Sequence, residues 1–72
     1  MEKLSEFILE YRHSHAMTQK DLAQLLGVTK VTISNIENGK IRAGHRVIKS
    51  IVDKLELDIL EVVRLNENNK QI

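Results

Sequence analysis

The chain has no cysteine, no proline and no tryptophan, and only one tyrosine, one phenylalanine and three glycines in 72 residues. Without thiols it can form neither a disulfide nor a thiolate metal site, so the usual reinforcement of a domain this small is closed to it. No apolar run approaches the roughly 20 residues of a membrane-spanning helix. The amino-terminal MEKLSEFILEYRH carries acidic residues in place of the basic leader and hydrophobic segment of a secretion signal. The sequence therefore predicts an intact cytosolic domain, small enough for oligomerisation to supplement a single core. There is no glycine-rich phosphate loop. His13, His15 and His45 with Asp21, Glu37 and Asp58 match no ligand spacing, and His13 and His15, two apart, share no helical face. Catalysis, a metal site and a cofactor are not expected.

What is present is unevenly spread. The net charge is only +1, which by itself argues weakly against tight binding of a polyanion. Residues 1–11 set Lys3 against Glu2, Glu6 and Glu10 for a net −2, residues 12–49 set seven Lys and Arg against Asp21 and Glu37 for +5, and residues 50–72 return to −2. A local basic footprint governs phosphate binding more than the total does, although on charge alone a solvated basic face without a partner is an equal reading. The basic segment contains the run Thr18 to Lys40, TQKDLAQLLGVTKVTISNIENGK. That run joins two short helical patterns through a tight glycine turn and makes the second helix polar, the arrangement by which a small protein presents one helix to the DNA major groove.

Leu4, Phe7, Ile8 and Tyr11 recur at helical spacing and predict a first helix over about residues 2–13 with those four facing inward. Thr18, with Asp21 three residues on, predicts the cap of a second helix over about 18–25, and Gly27 its left-handed end. Thr29 predicts the cap of a third helix over about 29–36, with Ile33 and Ile36 facing the core and Lys30, Val31, Thr32 and Asn35 largely outward. Asn38-Gly39 closes it. A fourth helix, beginning near Gly44 or His45, carries Val47, Ile48, Ile51, Val52 and Leu55.

The fifth helix starts at Asp58, whose spacing to Glu61 matches a capping box, and runs through Leu65. Ile59, Leu60 and Val63 can lie on one stripe and serve the core, while Val62 and Leu65 fall on a second and widen the apolar face. That width assigns Val62 and Leu65 to a symmetric dimer contact; the other reading is that so small a domain wraps its last helix more completely into its own core. The expectation is an all-α, five-helix domain over residues 1–66 with a polar, frayed tail over 67–72.

With the helices placed, Arg12, Met17-Thr18-Gln19, Leu22-Ala23, Gly27-Val28-Thr29, Ile33-Ser34 and Ile36-Glu37-Asn38-Gly39-Lys40 form a familiar pattern. Over residues 3–63 the chain resembles the lambda-repressor-like helix-turn-helix family, which includes phage repressors, Cro-type proteins, controller proteins of restriction and modification systems, and some antitoxins. Ala16 and Glu56 stand where that family often has glycine, and no proline opens the fourth helix between Lys40 and Arg46. Alanine at 16 implies a turn that avoids a strongly left-handed conformation, and the missing proline implies a less fixed approach to helix four.

Outward placement makes Lys30, Val31, Thr32 and Asn35 the base-reading face. Asn35 can pair bidentately with adenine, Lys30 can donate to guanine, and Val31 or the Thr32 methyl can touch a thymine. Ordinary packing of Val31 and simple solvation of Asn35 are the plainer readings. Gln19 resembles the family glutamine that contacts a phosphate and braces the reading helix, at a helix start where free amides meet an anion. Thr29 serves the cap, shares a phosphate, or both. Lys40, Arg42 and Arg46 lie where the family clamps the sugar-phosphate backbone, with His45 and Lys49 weaker candidates. The resemblance also implies a structural salt bridge between Arg12 and Glu37. The expected function is that of a homodimeric, cytoplasmic regulator of transcription, a repressor or controller protein, binding a palindromic site on double-stranded DNA, with RNA polymerase or another protein as a further partner and no membrane association. The rival is an antitoxin or interaction module whose main partner is a protein.

Overall fold

A computed structural model describes residues 2–70. Five α-helices follow one another: α1 (Leu4–Ser14), α2 (Gln19–Leu26), α3 (Lys30–Glu37), α4 (His45–Leu55) and α5 (Ile59–Glu67). α2 packs on α3, α1 on α3 and α5, and α4 on α2 and α5. Leu4, Ile8, Leu22, Ile33, Ile36, Ile51 and Val62 are fully buried at the centre, with Phe7 and Tyr11 packed against them and half-buried. The all-α, five-helix architecture is the one the periodicity predicts.

The first four helices end in the same way. Backbone bonds close each turn around a residue with positive φ. After α1, Met17 N–H donates to Arg12 O at 2.8 Å and Ala16 N–H to His13 O at 3.2 Å. After α2, Val28 donates to Ala23 O at 2.9 Å and Gly27 to Gln24 O at 3.3 Å; after α3, Lys40 donates to Asn35 O and Gly39 to Ile36 O, both at 3.0 Å. After α4, Leu57 donates to Val52 O at 3.2 Å. Closure of this kind requires a left-handed residue next to the helix end.

Gly27 and Gly39 supply it at φ 71° and 70°, but Ala16 and Glu56 occupy the same region at 53° and 54°. The turn at Ala16 is therefore left-handed, contrary to the reading from sequence, because satisfying the last carbonyls of α1 outweighs the steric cost of a Cβ there. That cost is roughly 1–2 kcal/mol for an L residue, offset in part by the entropy that glycine loses on folding. Ala16→Gly and Glu56→Gly are each expected to stabilise the chain by about 0.5–1 kcal/mol, visible as a raised midpoint in thermal denaturation. The two turns close different helices, so the gains should add.

The fifth helix departs from expectation in three respects. Asp58 occupies the N-cap without a side-chain bond, so the predicted capping box is not formed. Glu61 pairs instead with Arg64, an i,i+3 contact on the exposed face that lowers the carboxyl's pKa and raises that of the guanidinium. The two apolar stripes are exchanged. Val62 and Leu65 are buried within the chain's own core, which removes them as a dimer surface, while Ile59, Leu60 and Val63 are 53%, 76% and 39% exposed.

The polar tail is also ordered further than composition implied. Asn66 and Asn68 are hydrogen-bonded, and Asn69 is fully buried. Asn69 falls one helical turn beyond Leu65 and continues the buried stripe. The rest of the expected tail, Gln71 and Ile72, lies outside the described residues.

Candidate nucleic-acid interface

The interface is built on the start of α2 and the whole of α3. Thr18 caps α2 through a reciprocal box, Thr18 Oγ1 accepting from Asp21 N–H and Asp21 Oδ2 accepting from Thr18 N–H, both at 3.0 Å. Those bonds, first the one from the Thr18 backbone, hold the Asp21 carboxyl below its ordinary pKa. They leave the amides of Gln19 and Lys20 without partners among the described residues, pointing out of the helix start.

The Gln19 side chain is half-buried. Its Nε2 donates to Glu37 Oε1 at 3.0 Å. Glu37 is at the same time gripped by Arg12, with Nε to Oε2 at 2.7 Å and Nη2 to Oε1 at 3.1 Å, while Arg12 Nη1 donates to Met17 O at 3.0 Å. The carboxylate thus joins α1, the turn after it, the start of α2 and the end of α3. The hydrogen bond to Glu37 raises the Arg12 pKa above its ordinary value. The resemblance implied a pair; the fold shows a three-residue knot in which one N–H of the Gln19 side-chain amide is engaged and its second N–H is left over.

On α3, Thr29 Oγ1 accepts from Thr32 N–H at 3.1 Å and the two hydroxyls lie 3.0 Å apart. The two hydroxyls share the cap and each keeps capacity for a further hydrogen bond, while Thr32 also offers its methyl. Ile33 and Ile36 are fully buried. At about 100° per residue, Val31, Ser34 and Asn38 form the row opposite them, flanked by Lys30 and Asn35. Val31 is 67% exposed, Lys30 is exposed, and Asn35 is half-buried with no side-chain hydrogen bond among the described residues. Asn38 Nδ2 donates to Ser34 Oγ at 3.3 Å. Ser34 and Asn38 were missed by reading the motif; counting round the helix from Ile33 and Ile36 would have found them.

The cations divide into two groups. Arg46, in the first turn of α4, lines one recess with Thr29, Thr32, Val47 and Ser50, so the fold brings Arg46 to the capped end of α3. Ser50 Oγ donates to Leu26 O at 2.7 Å and holds α4 against the α2 end. Lys40 and Arg42 are exposed on the α3–α4 loop, residues 38–44, after the other end of α3. His45 and Lys49 lie along the exposed side of α4, in a second depression with Arg46 and Asp53.

Two short helices across a left-handed glycine turn, the second polar outside and locked to the first inside, are matched by the model of one family, helix-turn-helix, over residues 8–62. The chain belongs to the helix-turn-helix family. No curated protein and no solved structure matches it. In this helix-turn-helix protein α2 and α3 are the motif, and membership supports a DNA-binding regulatory function. No helix among the described residues is long and apolar enough to cross a membrane. The helix-turn-helix match stops at residue 62, short of the asparagines that close the structure.

Proposed function

We propose that this helix-turn-helix protein is a sequence-specific regulator of transcription of the lambda-repressor-like type, which binds a roughly palindromic site as a homodimer with α3 of each subunit in successive major grooves. The observation that carries the reading is the outer face of α3. It offers the uncommitted amide of Asn35, the ammonium of Lys30 and the apolar surfaces of Val31 and Thr32 on a helix whose inner face is locked, with exposed cations beyond both ends. Asn35 suits adenine, Lys30 guanine and the apolar pair a thymine methyl. Ser34 and Asn38 extend that face. The Gln19 and Lys20 amides, with the second N–H of the Gln19 side chain, meet a phosphate at the start of α2, and Thr29, Lys40, Arg42 and Arg46 complete the backbone contacts. Occupation of the site would block or recruit polymerase.

Base and backbone contacts predict separable losses. Arg42→Ala should weaken binding to a selected duplex and to random DNA alike and lower the salt slope by about 1. Asn35→Ala should cost about 1–3 kcal/mol on the selected duplex and little on random DNA. Titrations against both duplexes at several salt concentrations test this, and absence of any preferred duplex at moderate salt would end the sequence-specific reading.

The dimer contact passes to the other face of α5. Ile59 and Val63 border an apolar groove with Ile48, Val52, His45, Lys49 and Asp53, and Leu60 stands beside it. A two-fold contact would seat each Leu60 against its partner. Leu60→Asp should therefore reduce a dimeric mass to a monomeric one and lower the thermal midpoint only to the value that the wild type approaches on dilution. A monomeric wild type at tens of micromolar would overturn the dimer and give this face to another protein, as in the antitoxin reading.

A further inference from the structure

We infer that Asn66 and Asn69 are positioning residues for the backbone clamp, holding the α3–α4 loop on both sides of Arg42 so that its guanidinium projects from a fixed point. The inference rests on the DNA-binding reading above and adds to it a part of the chain beyond the family match. Asn66 grips Ala43 as a strand partner would, Oδ1 accepting from Ala43 N–H at 2.7 Å and Nδ2 donating to Ala43 O at 3.0 Å. Asn69 takes the other side. Its Nδ2 donates to Ile41 O at 2.8 Å and to Ile36 O at 3.0 Å, and its Oδ1 accepts from Ser5 N–H at 2.6 Å.

Arg42 is the residue between the two grips. Ile41 is half-buried, Arg42 exposed and Ala43 buried. This alternation turns the arginine outward because its neighbours are drawn in. No proline stiffens the loop, so the approach to α4 that seemed loose from sequence is set by Asn66. Gly39 fits the same arrangement. A Cβ on it would lie 3.3 Å from the Asn69 backbone carbonyl, a tight contact that places the turn after α3 directly against the asparagine.

A loop held in its bound geometry loses less freedom when phosphate is engaged, and releasing it transfers that loss to the binding step. Asn66→Ala is the variant of choice, since Asn66 is half-buried and its removal exposes the Ala43 groups to water. Asn66→Ser, too short to span both groups, gives the same test if Asn66→Ala does not fold. Asn68→Ala, which removes only a bond to Glu2 O, is the control.

The probe is a fluorescein-labelled random-sequence duplex, titrated at several salt concentrations well below each variant's thermal midpoint, with amide exchange read at Ala43. Asn66→Ala is expected to release the Ala43 amide while the helices keep their protection, to weaken binding about 3- to 10-fold, and to lower the salt slope by about 1 as Arg42→Ala does. In an Arg42→Ala background it should add little further loss. Equal weakening in both backgrounds would show a general structural effect and overturn the inference, as would unchanged binding by a folded variant with a released loop. A wild-type chain that binds no duplex would overturn the DNA reading and the inference together, whereas wild-type binding that ignores Asn66 removes the inference alone.

Discussion

Replacing Asn69 by alanine should destabilise the chain by about 3–5 kcal/mol, a large part of the roughly 4–10 kcal/mol that a domain of this length commands. The side chain is fully buried, and its amide satisfies three backbone groups from three places: the start of α1, the end of α3 and the loop after it. Truncation leaves Ser5 N–H and the Ile36 and Ile41 carbonyls unpaired at about 1–3 kcal/mol each, less whatever a water entering the vacated space restores. At about 4–8 °C per kcal/mol, the thermal midpoint should fall by about 12–40 °C. Asn69→Leu separates packing from polarity. It fills the volume and still leaves all three groups unpaired, so it should not rescue the loss. Denaturation of the three proteins followed by circular dichroism decides the matter, and a loss under about 1 kcal/mol would mean that solvent satisfies the groups unaided.

Glu37→Ala should have the next largest effect, about 2–4 kcal/mol, because it breaks a desolvated ion pair from one side. The Arg12 and Glu37 side chains are 13% and 5% exposed, so the arginine left behind keeps its burial and loses both charge-assisted bonds. Gln19 loses its acceptor at the same time. Glu37→Gln, which retains an acceptor oxygen without the charge, should fall between wild type and Glu37→Ala. The double variant Arg12→Ala, Glu37→Ala should lose less than the sum of the single losses, since no buried charge is then stranded. A denaturation cycle over the four proteins measures that coupling. Additive losses would mean that the two side chains do not act as a pair.

Arg12 and Glu37 were paired through resemblance, and the same resemblance gave Gln19 a bracing role toward the reading helix; that its acceptor is Glu37 itself is seen only in the fold. Thr18, Gly27 and Thr29 took the expected places, because capping and left-handed closure depend on atoms within a few residues. Ala16 did not. The requirement for a left-handed residue there comes from the carbonyls of Arg12 and His13, and the identity of the alanine does not reveal it. Asn69 was taken for part of a polar tail, since composition counts an amide as a surface group and cannot see three backbone partners supplied from elsewhere.

The sequence by itself determined the number of helices, their approximate bounds, the outward face of α3 and the basic character of residues 12–49, because periodicity, capping and charge are local properties. Only the tertiary structure decided which stripe of α5 faces the core, which acceptor Gln19 finds on α3, and which backbone groups Asn66 and Asn69 hold. Periodicity defines a stripe but not its phase: Val62 and Leu65 became the buried row of α5, with Asn69 buried just beyond its end, through the way the turn at Glu56 lays that helix against α4 and α1. Hydrogen bonds between Asn69 and Ser5, across most of the chain's length, exist only once that packing is complete.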